Sequence, residues 1–462
     1  MTADQILRLV SESGINQVRI AWCDVHGELR AKSIMPRALE AALTEGIGMV
    51  GTQALKDTSD RTAFKVFEAD GLAHLPMLAA FQQASNFTVK PILESFKTLP
   101  WAPHTAWLQA QMLGANGQPL AIDSRGILQR ALAQLQAQGY GLRCGLEIEF
   151  HIYKIENARP QTDPDLAAWP GMPPAVSMIH PGYRLLSERN LDRCDEPLQI
   201  VRSTCAALGL PLTSLEVEFG PSQVEAVFEV QDALAAADSM VLFRSAVTQA
   251  LQRAGYHASF MCRPPFPSIM SSGWHLHQSL VHLQTGSNAF VSAPNEALSP
   301  IGMHWLAGLV QHASGICALA NPTIDAYERF KPNALAPTRA NWGVDSRSAM
   351  LRVISAGKAT RIENRIGSPL ANPYLYLAAH IHAGLDGIAR GLESPPSESN
   401  AAKLPVSLDE ALKALLRDAA LNGGFGEQVL SWFAQIKCQE INRYEATEDK
   451  TDWLRREYFS RF

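Results

Sequence analysis

Polar and apolar residues alternate along four short segments of the chain, residues 146–150, 215–219, 274–280 and 361–366. Successive side chains of a β-strand point to opposite faces, so this period predicts four strands with one polar and one apolar face each. The polar positions carry Glu, His and Arg instead of the Lys, Thr and Ser of an ordinary solvated strand. The pattern therefore favours a curved sheet with a charged, concave face.

A half-buried surface strand produces the same alternation, and for any single segment this is the simpler interpretation. Four segments with the same unusual side chains make that interpretation less suitable. Short strands at residues 18–22 and 28–34 suit a small β-grasp-like fold. Helices are predicted from the apolar period at residues 126–138, 232–253, 375–389 and 408–416.

Carboxylates clustered on one face repel one another unless they are protonated or bridged by cations. Oxygen ligands with a single imidazole favour Mg²⁺ or Mn²⁺ over Zn²⁺ or copper. The sequence therefore predicts a site for hard divalent cations on the polar face of the sheet. Its candidate ligands are Glu147, Glu149, Glu218, Glu225, His275 and Glu363.

Cationic side chains cluster in one stretch of the C-terminal half of the chain. They are Arg329, Arg347, Arg352, Lys358, Arg361 and Arg365. A guanidinium binds carboxylates and phosphates through paired hydrogen bonds, so arginines beside metal ligands indicate an anionic substrate. Metal, arginine and carboxylate together are typical of phosphoryl transfer from a nucleotide to a small acid. The sequence has no Walker-type phosphate-binding motif, which excludes a P-loop enzyme.

These motifs resemble the glutamine synthetase family, and the resemblance covers nearly the whole chain. Residues 18–27 resemble the opening strand and turn of the family's N-terminal domain, and residues 98–101 resemble the segment that leads into its large domain. The carboxylate strands, the Trp-His-Leu-His-Gln-Ser-Leu segment, the Arg-x-Glu-x-Arg strand and residues 371–375 then follow in family order. Several motifs in the right order make a chance match very improbable.

The resemblance implies an α+β fold with two domains. A small N-terminal β-grasp-like domain would span residues 1–105, and Pro100 and Pro103 mark the joint. A large catalytic domain would span residues 106–462 and contain a curved antiparallel sheet flanked by helices. The family's assembly further implies a homo-oligomer of stacked hexameric rings, a dodecamer, with active sites between neighbouring subunits.

Carried over residue by residue, the resemblance implies ATP and two or more Mg²⁺ or Mn²⁺ ions in each site. The ion nearer the acid substrate would be held by Glu149, Glu218 and Glu225. The ion nearer the nucleotide phosphates would be held by Glu147, His275 and Glu363. The carboxylates of glutamate would be clamped by Arg329 and Arg365, and backbone groups near Ser271 would meet its amino group.

The remaining roles concern the nucleotide. The resemblance implies that His277 lies beside the transferred phosphoryl group and that Ser279 lies near the nucleotide. The ATP phosphates would be met by Arg347, Arg352, Lys358 and Arg361. His277 and Arg347 are therefore the candidate catalytic residues.

Two departures from the family concern the ammonium site. Leu335 stands in the flap where ammonium-using members carry a Glu, and Val50 aligns with an Asp that comes from the neighbouring subunit. Ammonium is a small cation that needs anionic or polar partners to leave water. Apolar walls instead favour an amine with an apolar body. The alternative interpretations are that other acids replace the lost pair or that the alignment of the flap is shifted by one residue.

The chain is therefore expected to be an ATP-dependent ligase that joins glutamate to an organic amine, aromatic amines included, as in the γ-glutamyl-amine synthetase branch. The product would be a γ-glutamylamide formed through γ-glutamyl phosphate. Two alternatives stay open at this point. One is a glutamine synthetase that uses ammonium, and the other is a catalytically inactive family member.

Composition limits the classes of partner and the compartment that we expect for this chain. The 462 residues carry a net charge of −5 without a basic block, so nucleic acid is not an expected partner. Seven scattered cysteines fit a reducing cytoplasm better than a disulfide framework. We expect no signal peptide, because the first residues lack a basic segment and an apolar core, and we expect no membrane partner.

Overall fold

The computed structural model describes residues 1–330, 336–397 and 401–462. The N-terminal part forms a first sheet, whose strands are β1 Gln17–Cys23, β2 Leu29–Ile34, β3 Ile47–Val50, β4 Asn86–Pro91, β5 Lys97–Thr98 and β6 Thr105–Leu113. They lie in the order β2-β1-β6-β4-β3, and β5 pairs with β6. Strands β1 and β6 are parallel, and the other described pairs of this sheet are antiparallel. The strands predicted at residues 18–22 and 28–34 are confirmed.

Two helices, α1 Ala3–Glu12 and α2 Leu39–Thr44, cover part of this sheet. Helix α1 begins after Thr2, whose hydroxyl accepts from the Gln5 N–H while the Gln5 side chain accepts from the Thr2 N–H. Buried Ile6 and Val10 of this helix pack with apolar side chains of α2, β1 and β6. Burial of this apolar face holds the helix on the sheet.

Strand β6 lies in the middle of the first sheet, between β1 and β4. The chain therefore leaves this sheet at Leu113 and not at the boundary expected after residue 105. The prolines at 100 and 103 suggested the joint because proline ends regular structure, but a strand begins directly after them at Thr105. The division into two domains itself stays a prediction.

The second sheet carries the four segments that alternate polar and apolar residues. Its strands are β7 Tyr140–Asn157, β8 Ala175–Met178, β9 Leu212–Val217, β10 Gln223–Asp232, β11 Tyr256–Ser259, β12 Trp274–His282, β13 Trp342–Val344, β14 Leu351–Ile354 and β15 Arg361–Gly367. The main order is β13-β14-β15-β12-β7-β10-β9, with β8 and β11 paired to the far end of β7. The sheet curls into a half-barrel. The expected α+β fold with a curved sheet is confirmed.

Helices flank this sheet, as the sequence predicted. They are α3 Ser124–Ala137, α4 Arg159–Thr162, α5 Glu188–Arg193, α6 Asp195–Leu208, α7 Ala233–Arg253, α8 Pro300–Gln311, α9 Ala313–Ala320, α10 Pro373–Arg390, α11 Leu408–Arg417, α12 Ala419–Phe425, α13 Glu427–Glu445 and α14 Lys450–Leu454. The four predicted helices correspond to α3, α7, α10 and α11. None of the helices in the described ranges combines the length and apolar composition needed to cross a membrane.

The apolar face of the second sheet packs into the main core of the molecule. Leu146, Ile148 and Phe150 of β7 are almost completely buried. The Phe150 ring meets Phe243 of α7 edge-on, with ring centroids 5.8 Å apart, and stacks on Phe260 at 4.9 Å. This packing fixes the strands from one side, so their polar side chains are held on the other.

A buried ionic cluster ties the loop after β3 to the C-terminal helices. Glu457 accepts from the Ser59 hydroxyl at 2.5 Å, from the Thr58 hydroxyl, and from Arg443 Nη1 at 3.0 Å. Arg443 Nε also donates to Asp57 at 3.0 Å. Burial alone would raise the pKa of Glu457, but Arg443 and the two hydroxyls outweigh it and hold the pKa below its ordinary value. The cluster therefore stabilises the contact between the two ends of the chain.

We expect Glu457→Gln to lower the free energy of unfolding by about 3 kcal/mol, because it removes one charged partner from a buried ion pair. Urea unfolding at a fixed protein concentration measures this loss. The control is Lys413→Gln, which removes an exposed pair with Asp409 and should cost less than about 1 kcal/mol. Equal losses in the two variants would contradict the account.

The same glutamate gives a pH dependence with a definite sign. Because the folded pKa of Glu457 lies below the ordinary value of 4.5, its contribution to stability is complete above that value. The contribution is lost as the pH falls through the lower folded pKa. The difference in stability between the wild type and Glu457→Gln should therefore shrink on acidification, which urea titrations at several pH values will show.

Candidate active site

The strand register of the second sheet brings the predicted polar residues onto one face. Residues directly opposite each other on neighbouring strands share a face. The opposed pairs are His275 with Glu147, Glu149 with Glu225, Glu225 with Glu216, His277 with Glu363, and Glu363 with Arg352. The prediction that the four alternating segments form one charged face is confirmed.

Two cavities open on this face. The larger has a volume of about 890 Å³, and all six predicted metal ligands line it: Glu147, Glu149, Glu218, Glu225, His275 and Glu363. Its wall also includes Ser271, Arg329, Arg347, Arg352 and Arg365. The smaller, of about 360 Å³, is lined by His277, Ser279, Lys358 and Arg361. Glu147 lines both cavities, so the two spaces meet at this carboxylate.

His275 lies at the centre of the carboxylates. Its Nδ1 is 3.3 Å from Glu147 Oε2, 3.8 Å from Glu363 Oε1 and 4.0 Å from Glu225 Oε2. Its Nε2 is 3.7 Å from Glu149 Oε1. An imidazole with carboxylates beside both ring nitrogens is placed to share a metal ion with them.

His277 points to the same face two residues further along β12. Its Nε2 is 2.9 Å from Glu147 Oε1, and its Nδ1 accepts from Arg361 Nε at 3.0 Å. A ring nitrogen that accepts from a guanidinium carries no proton of its own at that position. Arg361 and Glu147 therefore hold the His277 ring from its two sides.

Ligand atoms that could share one ion form two groups in the described residues. One group is Glu147, His277 and Glu363, and the other is Glu147, Glu225 and His275, with the atoms of each group within 4.8 Å of one another. The resemblance implied a different division of the ligands between the two ions. Positions along a strand do not show that both histidines lie near Glu147. The assignment of ligands to individual ions stays a prediction.

The carboxylates of this face differ in protonation. Burial, reinforced by the nearby Glu149 charge, raises the pKa of Glu225 to about 10 and that of Glu218 to about 7. Glu147 is half-buried and Glu363 is buried, but the histidines beside Glu147 and the Arg365 charge beside Glu363 outweigh desolvation and lower their pKa values. A divalent cation beside Glu218 and Glu225 would supply the positive charge that these carboxylates lack. Their raised pKa values therefore fit a site for divalent cations.

Hydrogen bonds to neighbouring groups hold the arginines of the larger cavity. Glu363 accepts from Arg365 and, at 3.1 Å, from Arg352, and Arg352 Nε also donates to Asp345 at 2.9 Å. Arg329 is buried and donates to three backbone carbonyls, those of Arg365, Ile366 and Gly367, at 3.2, 3.1 and 2.7 Å. Each guanidinium has five donors, so these contacts fix the groups and leave donors for an anion.

Comparison with known proteins agrees with the geometry. Residues 121–458 match the family described as glutamine synthetase, catalytic domain. The chain belongs to the glutamine synthetase family. The predicted family is therefore confirmed.

Relatives within the glutamine synthetase family differ in their similarity to this chain. A γ-glutamylanilide synthase of an Acinetobacter species is 36% identical over 99% of this chain and 95% of its own. A glutamine synthetase of Clostridium saccharobutylicum is 29% identical, covering 100% and 99% of the two chains. A solved structure, a complex of GmaS with ADP, aligns with a TM-score of 0.79 and 28% identity over 97% of this chain and 98% of that one.

Val50 and Leu335 are the two residues predicted for this family's amine site. Val50 ends strand β3, is 41% exposed, and lines neither cavity of this chain in its described part. The prediction that it reaches a neighbouring subunit's site is not tested by a single chain. Leu335 lies outside the described residues.

Gln223 is a positioning residue that the sequence reasoning missed. Its side-chain amide donates to Glu149 Oε2 at 3.3 Å and to the Ser271 carbonyl at 3.1 Å. The Gly273 N–H donates to the same Glu149 oxygen at 2.7 Å. Gln223 stands two residues before Glu225 in β10, and this spacing on one strand face is the signal that could have identified it.

Metal affinity should depend on pH. Because Glu218 and Glu225 hold protons near neutral pH in the metal-free protein, a divalent ion must displace them, and we expect tighter Mn²⁺ binding as the pH rises from about 6 to 8. Isothermal titration calorimetry in buffers of different ionisation enthalpy measures both affinity and proton release.

The matched control is Glu296→Gln, since Glu296 is exposed and lines neither cavity. This variant should bind Mn²⁺ like the wild type. Glu225→Gln should bind it at least about tenfold more weakly. Binding that is independent of pH and unaffected by Glu225→Gln would show that this cluster is not the metal site.

Proposed function

We propose that the protein is an ATP-dependent ligase that joins the γ-carboxylate of glutamate to an organic amine. The observation that carries the proposal is a single cavity in which six potential metal ligands meet four arginines. Such a site can bind a carboxylate and a phosphate side by side, as transfer of a phosphoryl group from ATP to glutamate requires. The γ-glutamyl phosphate formed would then react with the amine to give a γ-glutamylamide.

Preference for an organic amine over ammonium rests on the relatives and on the flap. Identity is higher to the γ-glutamylanilide synthase, at 36%, than to the clostridial glutamine synthetase, at 29%. Leu335 replaces the acid that ammonium-using members carry in the flap. Ammonium needs an anionic partner at this position when it leaves water, and leucine does not supply one.

The six metal ligands would hold two or more Mg²⁺ or Mn²⁺ ions, namely Glu147, Glu149, Glu218, Glu225, His275 and Glu363. Bound divalent ions neutralise charge on phosphoryl and carboxylate oxygens. The protein's part is to present the oxygens on rigid strands. Gln223 and the Gly273 N–H hold Glu149 in place for this task.

The cationic residues divide between the two substrates. Arg329 and Arg365 would clamp the carboxylates of glutamate, with Ser271 near its amino group. The phosphates and the nucleotide would be met by Arg347, Arg352, Lys358, Arg361 and Ser279. His277 would lie beside the transferred phosphoryl group, held there by Arg361 and Glu147.

The site also bears on assembly and location. We place the active sites between neighbouring subunits of a stacked hexameric assembly, where Val50 of one subunit would reach the site of the next. Six of the seven cysteines are buried and all seven are free thiols. Free thiols persist in a reducing compartment, which supports a location in the cytoplasm.

Phosphate release from Mg·ATP and glutamate, measured with ammonium, ethylamine, a polyamine and aniline in turn, tests the function. We expect release with at least one organic amine to exceed release with ammonium by about tenfold or more. An apolar residue such as Leu335 beside the amine favours an acceptor with an apolar body. Release with ammonium alone would make the protein a glutamine synthetase. No release with any amine would indicate an inactive family member.

Gly273 offers a test of the glutamate clamp. A Cβ at this position would lie 2.5 Å from Arg329 Nη2, and three carbonyls prevent the guanidinium from moving away. Gly273→Ala should therefore raise the KM for glutamate by about tenfold or more through misplacement of Arg329. Steady-state kinetics with glutamate and ATP varied separately will show whether the KM for ATP changes less.

The control is Gly171→Ala, because a Cβ at Gly171 meets nothing within 4 Å. This variant should retain the wild-type KM for glutamate. If Gly273→Ala also leaves that KM unchanged, Arg329 does not bind glutamate.

A further inference from the structure

One side of the larger cavity is apolar. Leu185, Leu186, Phe219 and Met270 line it together with the carboxylates and arginines already described. Leu185 and Leu186 are 55% and 62% exposed, and Phe219 is 37% exposed. Large apolar side chains that face solvent beside a charged site mark a surface that binds something apolar. We call these four residues the apolar wall.

The backbone holds the wall in a defined shape. The Tyr183 N–H donates to the Phe219 carbonyl at 2.6 Å, and the Leu186 N–H donates to the Val217 carbonyl at 3.1 Å. Tyr183 and Leu186 have φ angles of 60° and 53°, a region that residues other than glycine rarely adopt. Strained backbone of this kind persists where the surroundings fix it, and it concentrates at binding sites.

Aromatic contacts reinforce the same arrangement. The rings of Tyr183 and Phe219 meet edge-on, with centroids 5.6 Å apart, and the Tyr183 hydroxyl donates to the Ser268 carbonyl. The segment around residues 183–186 is therefore anchored to the loop that follows β9 and to the loop that precedes Met270. These contacts fix the apolar wall before any ligand binds.

The apolar wall begins next to the carboxylate cluster. Phe219 directly follows Glu218, and its N–H donates to Glu218 Oε2 at 3.1 Å. An acceptor that enters the cavity along the wall would thus have its apolar part on the leucines and its reactive end near the carboxylate cluster. The wall and the cluster belong to one cavity of about 890 Å³, which is large enough for both.

We propose that the apolar wall binds the body of the acceptor amine and that the acceptor is a neutral aromatic amine. The proposal rests on the ligase function proposed above and specifies its third substrate. An aromatic ring gains by leaving water against leucine, phenylalanine and methionine side chains. A small alkylamine or ammonium gains little there, so the wall selects among amines.

The chemistry balances without an additional base. The nitrogen lone pair attacks the carbonyl carbon of γ-glutamyl phosphate, a C–N bond forms, and the C–O bond to phosphate breaks. The one proton that the nitrogen loses leaves on the phosphate, as HPO₄²⁻. Aromatic amines are uncharged at neutral pH, whereas an alkylammonium ion must lose a further proton before it can attack.

Glu216 supplies the competing interpretation. It lines the same cavity and could bind the distal ammonium group of a diamine. Its carboxylate accepts from the Ser214 hydroxyl at 3.0 Å, and Glu216 lies opposite Glu225 in the sheet. The acid therefore lies on the sheet floor and not on the apolar wall, which favours the aromatic amine.

The test compares kcat/KM for aniline with kcat/KM for ethylamine in variants of the wall. Leu185→Ala combined with Leu186→Ala should lower the aniline-to-ethylamine ratio by about tenfold or more, because it removes apolar surface that contacts only the larger amine. Phe219→Leu, which keeps an apolar side chain, should lower the ratio by a smaller factor and serves if the double variant does not fold. Leu191→Ala is the control, since Leu191 is an exposed leucine of helix α5 outside the lining of the cavity.

The outcomes separate this inference from the function on which it rests. An unchanged ratio in the wall variants, in an enzyme that uses aniline, would overturn the inference alone. Preference of the wild type for a diamine such as putrescine, lost in Glu216→Gln, would also overturn it and leave the ligase function intact. Activity of the wild type with ammonium alone would overturn the proposed function itself.

Discussion

Repulsion among buried carboxylates is the constraint on which this structure depends. The register of the second sheet sets Glu149 opposite Glu225 and Glu225 opposite Glu216, so like charges face each other across neighbouring strands. Such a face is stable only if protons, histidines, arginines or bound cations compensate the charge. Arginines donate to Glu363, and His275 lies 3.3 Å from Glu147, whereas burial and the nearby Glu149 charge raise the pKa of Glu225 to about 10. The part of the face around Glu225 is therefore the candidate site for divalent cations.

The apolar face of the same strands makes this arrangement possible. Phe150, between Glu149 and His151 in β7, is buried against α7, and this packing prevents the strand from turning its acids towards solvent. The two-residue period of the strand thus both buries the apolar side chains and directs the polar ones to the opposite face. Each buried apolar residue fixes the direction of its polar neighbours. The energy that holds the charged face together comes from the core behind it.

Alternation along the sequence predicted the strands and the shared face, since the two-residue period is a local property. The division of ligands between ions was not predictable in this way, because it depends on which strands become neighbours and on His277 reaching Glu147. The carbonyl contacts of Arg329 and the αL backbone at Leu186 likewise arise from tertiary packing that no local pattern records. Residues 106–113 were assigned to the second part of the chain because proline signals end strands but do not show which sheet the next strand joins.

The central claim is that the γ-carboxylate of glutamate becomes phosphorylated and that the amine displaces this phosphate. Glutamate labelled with ¹⁸O in its γ-carboxylate, turned over with Mg·ATP and the preferred amine, tests it directly through the mass of the phosphate released. The account predicts one ¹⁸O atom in each phosphate, because the oxygen of the broken C–O bond leaves with it. Unlabelled phosphate accompanied by amide formation would contradict the account.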